Sequence, residues 1–267
     1  MRHAALLVVL CACAASCGAP LMKLPAGPGA PATDAADALA QATAVCRGIR
    51  TLSAEVAASG KSGGQRFRAK LLVGVAAPAS ARIEAVAPFG APIFILAAND
   101  DDTTLLLPRD ERVLQHGKSA DVLDAVAGVP LSAGDLHAVL TGCGPAVANP
   151  EGRELGADWR LITDPAGDAL YLHRAGATQP WQLAAAVRPA WRVEYHDSLN
   201  GLPRAMRITS VPGSAGSAAS FDLRLALSQV ETNIPLGPEV FRVDFPRTAQ
   251  PITLDELRHA RPGVREN

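Results

Sequence analysis

Two Gly-Lys-Ser tripeptides and one Gly-x-Ser-x-Gly pentapeptide are where residue types and spacing suggest catalysis. Gly60-Lys-Ser-Gly-Gly64 matches the nucleophile-elbow pattern, but an elbow needs a buried strand before its serine and a helix after it. An alternating strand follows Gly64, so Ser62 reads as a turn residue. Gly60-Lys-Ser62 and Gly117-Lys-Ser119 both lack the first glycine of a phosphate loop, because Glu55 and Arg112 stand in its place. Asn99-Asp-Asp-Asp102 lacks the alternate spacing of a calcium loop and reads as a solvated hairpin turn. Histidines 116, 137, 173, 196 and 259 are scattered, with no zinc-ligand spacing. Trp159, Trp181 and Trp191 open strands, where core or rim packing suffices to explain them. The expectation is a protein that is not an enzyme and uses no metal or cofactor.

The remaining chemistry is apolar. In Ala-Val-Ala-Pro88-Phe89-Gly90-Ala-Pro-Ile a turn carries a phenylalanine at its tip, between two strand-like runs. Pro88 presets the backbone and Gly90 fits the exit, so the turn is complete without Phe89. A ring left there calls for a greasy surface, either a bilayer or an acyl chain, unless it folds back onto its own strands. Burying it is worth about 1.5–3 kcal/mol, too little to hold a protein at a membrane.

The N-terminus can supply the holding. Met1-Arg-His3 and an apolar run to Ser16 have the shape of a secretory signal and are too short to span a bilayer. Ala15-Ser16-Cys17 resembles the lipobox of bacterial lipoproteins, which places lipidation on Cys17, with Cys13 as the alternative and an unlipidated cleaved signal as a third reading. Three acyl chains on one cysteine give effectively permanent attachment. Residues 1–16 are thus read as signal, 17–33 as a flexible Pro/Gly/Ala tether, 34–262 as one domain and 263–267 as a tail. Cys46 and Cys143 remain in the body. In an oxidising compartment they either pair or stay as buried thiols.

Composition sets bounds on this body. The net charge of −1 and the lack of a basic stripe argue against nucleic acid. With 48% apolar but only 4% aromatic residues, any cavity would be aliphatic and suited to alkyl chains. Periodicity places a helix over 34–50, with Asp34 as its N-cap, then a hairpin over 52–73 whose inner face holds Phe67, Ala69, Leu71 and Val73. Strands continue over 81–86, 93–98, 103–107 and 112–116. Helices over 119–127 and 132–142 follow, the second with Ser132 and Asp135 as a capping box. After a loop over 145–154, further strands cover 158–163, 169–174, 182–187, 192–196, 203–211, 221–229 and 240–245. Thr253-Leu-Asp-Glu256 then caps a terminal helix. The fold class is α+β: about eleven strands in an antiparallel, incompletely closed barrel, with helices over its concave apolar face.

Pro-Phe-Gly between apolar strands, the helix–Gly-Val-Pro-Leu–helix unit at 128–131 and the later meander resemble one family. It is the outer-membrane lipoprotein receptor and insertase of the lipoprotein-localisation pathway, LolB-like and related to the LolA-like periplasmic carrier. The resemblance covers 82–96, 104–143 and, more loosely, 194–245. It implies a half-open barrel that holds the acyl chains of lipoproteins. It also implies a loop of Pro88, Phe89 and Gly90 that promotes their insertion into the outer membrane, with Phe89 where the family has an aliphatic. Small residues Ala85, Ala87 and Ala91 would leave room at the cavity mouth. The implied protein is a monomer, lipid-anchored in the outer membrane and facing the periplasm, with a periplasmic lipoprotein carrier as partner. The alternatives are a scaffolding envelope lipoprotein or a carrier of another lipid on the same fold.

Overall fold

Alternation of apolar and polar residues from Leu52 onward builds one large sheet. The computed structural model describes residues 21–87, 89–147, 151–213 and 220–260. Cys13, Cys17 and Pro88 lie outside them. The strands are β1 (Ala30–Pro31), β2 (Thr51–Ser62), β3 (Gln65–Ala76), β4 (Ser80–Val86), β5 (Phe94–Asn99), β6 (Asp102–Leu107), β7 (Arg112–Gly117), β8 (Glu151–Glu154), β9 (Trp159–Thr163), β10 (Ala169–His173), β11 (Gln182–Val187), β12 (Trp191–Leu199), β13 (Leu202–Ser210), β14 (Phe221–Thr232) and β15 (Gln250–Pro251). The helices are α1 (Ala35–Ala42), α2 (Ser119–Ala127), α3 (Ala133–Thr141) and α4 (Leu254–Ala260).

The strand order is β1-β8-β9-β10-β11-β12-β13-β14-β2-β3-β4-β5-β6-β7-β15. β1 and β15 end the order without pairing to each other, so the sheet is open. All pairs are antiparallel except β15 with β7. The incompletely closed antiparallel architecture expected from the sequence is therefore the observed one. The strand count is not: fifteen strands among the described residues replace about eleven. The additional strands come mainly from short edge segments with no periodicity to betray them.

Apart from the short β1, β8 and β15, the strands place one apolar face inward. Leu52, Ala54, Val56, Val73, Val75, Ile83, Leu96 and Leu105 on one half, and Leu170, Leu172, Val193, Met206, Ile208 and Leu223 on the other, join one buried cluster. The helices close it from the concave side. α1 packs on β8–β11, α3 on β2, β3, β4 and β13, and α2 on β6 and α4. Val122, Leu123, Val139 and Leu140 of α2 and α3 enter the same cluster. The capping boxes form as read. Ser132 Oγ accepts from the Asp135 N–H at 3.1 Å, and Thr253 Oγ1 accepts from the Glu256 N–H at 3.2 Å.

Three local readings are corrected. The first helix ends at Ala42, with a separate 3-10 turn at Cys46–Gly48, and Asp34 makes no side-chain cap. Its carboxylate is instead held by Arg160 at 2.7 and 2.9 Å, a stronger charge-assisted partner than a backbone N–H. The stretch 240–245 is not a strand but a strap across the convex face. Arg82 donates to the carbonyls of Val240 and Arg242, and Asn99 to that of Phe241. The Val240 and Arg242 N–H groups turn back onto the carbonyls of Gly237 and Glu239 instead of pairing in a ladder, and side chains satisfy the carbonyls of 240–242. Lastly, part of the segment read as a flexible tether is attached. Ala30–Pro31 pairs with β8, and the Met22 backbone is clasped on β12 between Glu194 (2.9 Å) and Arg192 (2.6 Å).

Candidate functional site

The antiparallel meander sorts every turn to one of two ends. Val86, Phe94, Leu107 and Ser62 lie at the first end, while Ser80, Asn99, Leu199 and His173 lie at the second. The candidate functional features divide between these ends.

At the first end is the 87–92 loop. Its root is fixed: the Ile93 N–H donates to the Ala85 carbonyl at 2.9 Å, and Ala85 and Phe94 are buried. Its crown is fixed too, since Arg109 in the β6–β7 turn donates to the carbonyls of Phe89 (3.2 Å) and Ala91 (3.3 Å). Gly90 has φ +79° and turns the chain back. The Phe89 ring is left 90% exposed, so it does not fold back onto its strands. Arg109 escaped the sequence reading because it lies some twenty residues away, and no local pattern marks it.

Beside this loop the β2–β3 hairpin turns through Gly63 and Gly64, both at positive φ (56° and 79°), which matches the two-residue turn favoured between twisted strands. Its tip is clamped to the lid: the Ser62 hydroxyl donates to the Ala127 carbonyl at 2.7 Å, at the end of α2. Ser62, the last residue of β2, thus ties the hairpin to the lid.

At the second end a cavity of about 480 Å³ opens between the end of α1, the end of α3 and β10–β13. Ala42, Val45, Trp181, Leu183, Tyr195 and Pro203 give it apolar walls, and His173, Gln182, His196 and Asp197 add polar groups. Trp181 is held rigid by Arg160 and Arg174, whose guanidinium carbons lie 4.7 and 4.5 Å from its ring centroid. The Arg160 guanidinium keeps the Asp34 carboxyl below its ordinary range. Tyr195 donates to the Val139 carbonyl at 3.3 Å, and burial raises its phenol. A second cavity of about 450 Å³, bordered by Val45, Ile49, Leu199, Leu202 and Val230, lies alongside.

Cys46 and Cys143 form a disulfide with Cα atoms 5.4 Å apart. Their neighbours Val45 and Gly142 line the first cavity, so the bond staples the 3-10 turn after α1 to the segment just past α3 at its rim. Close by, His137 on α3 is half-buried, which pulls its imidazole pKa down despite backbone carbonyl contacts from Ile49 and Arg50.

The cavity and the exposed ring are thus at opposite ends of the strands. Seven residues of β4 alone separate the two ends by roughly 20 Å. This corrects the expectation that Ala85, Ala87 and Ala91 leave room at a cavity mouth: Ala85 is fully buried against the core.

No protein-family model and no curated protein matches this chain. Among solved structures, it is similar to a LolA superfamily protein from Nitrosomonas europaea at TM-score 0.50 and 13% identity, over 78% of this chain and 97% of that one. A DUF1329 family protein from Desulfovibrio piger (TM-score 0.48, 12% identity, 78% and 97% covered) is a looser match. So is an outer membrane lipoprotein-sorting protein domain from Vibrio parahaemolyticus (TM-score 0.45, 12% identity, 77% and 94% covered). The class defined by the fold is the LolA-like open barrel: a large antiparallel sheet that does not close, with few helices.

Proposed function

We propose that this chain is a non-enzymatic lipoprotein, anchored through Cys17 (or Cys13) in the outer membrane, that binds acyl chains of lipoproteins and promotes their insertion into that membrane. The observation that carries the reading is Phe89: a large apolar ring 90% exposed at the tip of a loop fixed at root and crown. A loop whose backbone is hydrogen-bonded at root and crown yet keeps its ring in water gains nothing for folding from that ring, and an apolar surface outside the molecule accounts for it. The acyl chain would sit in the second-end cavity, whose volume lies in the range of small-molecule sites. Phe89 then acts on the bilayer rather than as an exit from that cavity.

The test has two arms. Mass spectrometry of the protein from native membranes should find an acylated N-terminus and a co-purifying acylated ligand. Val45→Trp, which fills both cavities from a position 49% exposed, should abolish binding of a fluorescent fatty acid without unfolding the chain. Unchanged binding in that variant would remove the cavity from the mechanism.

A second reading has its own support. The space between helices and sheet is filled by side chains of one contiguous cluster. A filled interior suits a scaffolding envelope lipoprotein that presents the Phe89 loop to the bilayer and carries no cargo. Absence of any acylated ligand, with Phe89 still required for membrane contact, would select it.

A further inference from the structure

The near-neutral net charge conceals a local excess. Between Val56 and Ile83 the chain has five basic residues (Lys61, Arg66, Arg68, Lys70 and Arg82) and no acidic one. Four of them fall on the distal half of the β2–β3 hairpin. Register shows where they lie. Lys70 pairs with Val86, the last residue of β4, so β3 runs five residues further to Gln65, roughly 16 Å past the end of β4, while β14 flanks β2 to its tip with Phe221 opposite Ser62. Lys61 stands opposite Arg66 on the outward face, with Arg68 and Lys70 continuing that face along β3 and Arg224 beside them on β14. Lys61, Arg66, Arg68, Lys70 and Arg224 are all exposed.

The acids nearest these cations on β2 and β14 are engaged. Asp222 is bound by Arg207 at 2.6 Å, and Glu55 by Lys70 at 2.8 Å. Asp110 and Glu111, exposed in the β6–β7 turn beside Arg109, share this end with the Phe89 loop, with β4 and β5 between them and the hairpin. The Ser62–Ala127 hydrogen bond fixes the hairpin on the lid, so its cations are presented at the same end of the sheet as Phe89.

We infer that this end is a bilayer-docking face for anionic lipid, in which the hairpin cations read surface charge and Phe89 inserts between headgroups. A partner of negative charge follows from the sign of the hairpin, and a flat lipid surface from the exposed ring beside it. The second-end cavity then faces away from the bilayer, open to the aqueous side. This inference rests on the proposed membrane role but not on acyl-chain binding.

The test is sedimentation of the full chain, carrying Cys13→Ser and Cys17→Ser so that no lipid is attached, with phosphatidylglycerol-containing and pure phosphatidylcholine vesicles. The readout is the ratio of the two affinities, which cancels the apolar contribution of the N-terminus common to all variants. Each cation near an anionic surface contributes about fivefold, so Lys61→Ser with Arg66→Ser should lower the ratio roughly tenfold to thirtyfold. Arg47→Ser with Arg50→Ser, an equal charge change at the opposite end, should leave the ratio alone. Phe89→Ala should weaken binding to both vesicle types alike. Raising the salt to about 1 M, where the screening length is about 3 Å, should bring the ratio close to one. A parent-like ratio in the hairpin variant, or an equal drop in the Arg47/Arg50 control, overturns the inference. Loss of fatty-acid binding in Val45→Trp with this ratio intact leaves it standing, so its failure and that of the cargo reading are separable.

Discussion

Breaking the Cys46–Cys143 staple should destabilise this fold by several kcal/mol. The bond closes a loop of 97 residues that runs from the end of α1, through β2–β7 and both lid helices, to the end of α3. It therefore ties the β8–β11 half of the concave face, on which α1 packs, to the β2–β4 half under α3. For a loop of that length, the entropy restored to the unfolded chain corresponds to about 4.7 kcal/mol. At the sensitivity of a chain of this size, that is a fall of roughly 10–20 °C in Tm. The experiment compares parent and Cys46→Ala/Cys143→Ala by calorimetry, with and without reductant. Reductant should lower the parent to the Tm of the variant and leave the variant unmoved. Because Val45 and Gly142 line the first cavity, fatty-acid affinity should weaken in parallel. A loss below about 1 kcal/mol would refute the reasoning, since it would mean that α1 and α3 are already fixed without the bond.

Phe89→Glu should leave Tm within a degree or two, because the ring is in water in the folded state, yet reduce vesicle binding by at least the tenfold that about 1.5 kcal/mol of ring burial represents. Gly128→Ala should destabilise by about 1–2 kcal/mol, as read by urea unfolding: φ is +68° and the added Cβ would lie 2.2 Å from Ser62 Oγ, disrupting the hairpin clamp. Acid should act in two windows. The half-buried His137 has a folded pKa below its ordinary 6.5, so its contribution is present above that value and is lost as pH falls through the lower, folded one; His137→Gln should flatten this part of a Tm–pH profile. Asp34 and Asp222, held below 3.8 by Arg160 and Arg207, stabilise above that pH and lose the contribution as pH drops through their folded values, an effect that Arg160→Met should diminish.

Much of this fold is legible because its signals are local. Alternation from Leu52 to Ala76 gives a hairpin, and Gly63-Gly64 gives its turn, since strand period and turn geometry depend on neighbouring residues alone. Ser132 with Asp135, and Thr253 with Glu256, announce helix starts for the same reason. Where a distant partner competes, local reading fails. Asp34 is a sound N-cap until Arg160, 126 residues on, takes its carboxylate. Residues 240–245 look like a strand until Arg82 and Asn99 bind their carbonyls from another layer. Met22 reads as tether until Glu194 and Arg192 close on its backbone from 172 and 170 residues away.

The candidate site shows the same division. That a ring would sit at a turn tip was written in Pro88-Phe89-Gly90 itself, because turn chemistry is decided within four residues. That the ring stays in water, that Arg109 pins its loop, that Cys46 meets Cys143 and that the cavity opens at the far end of the strands were decided only when the sheet curled. The amino-acid sequence specified which faces must be buried. The register of long-range pairing specified what those faces meet, because hydrophobic burial favours contact without direction and leaves the choice of partner to topology.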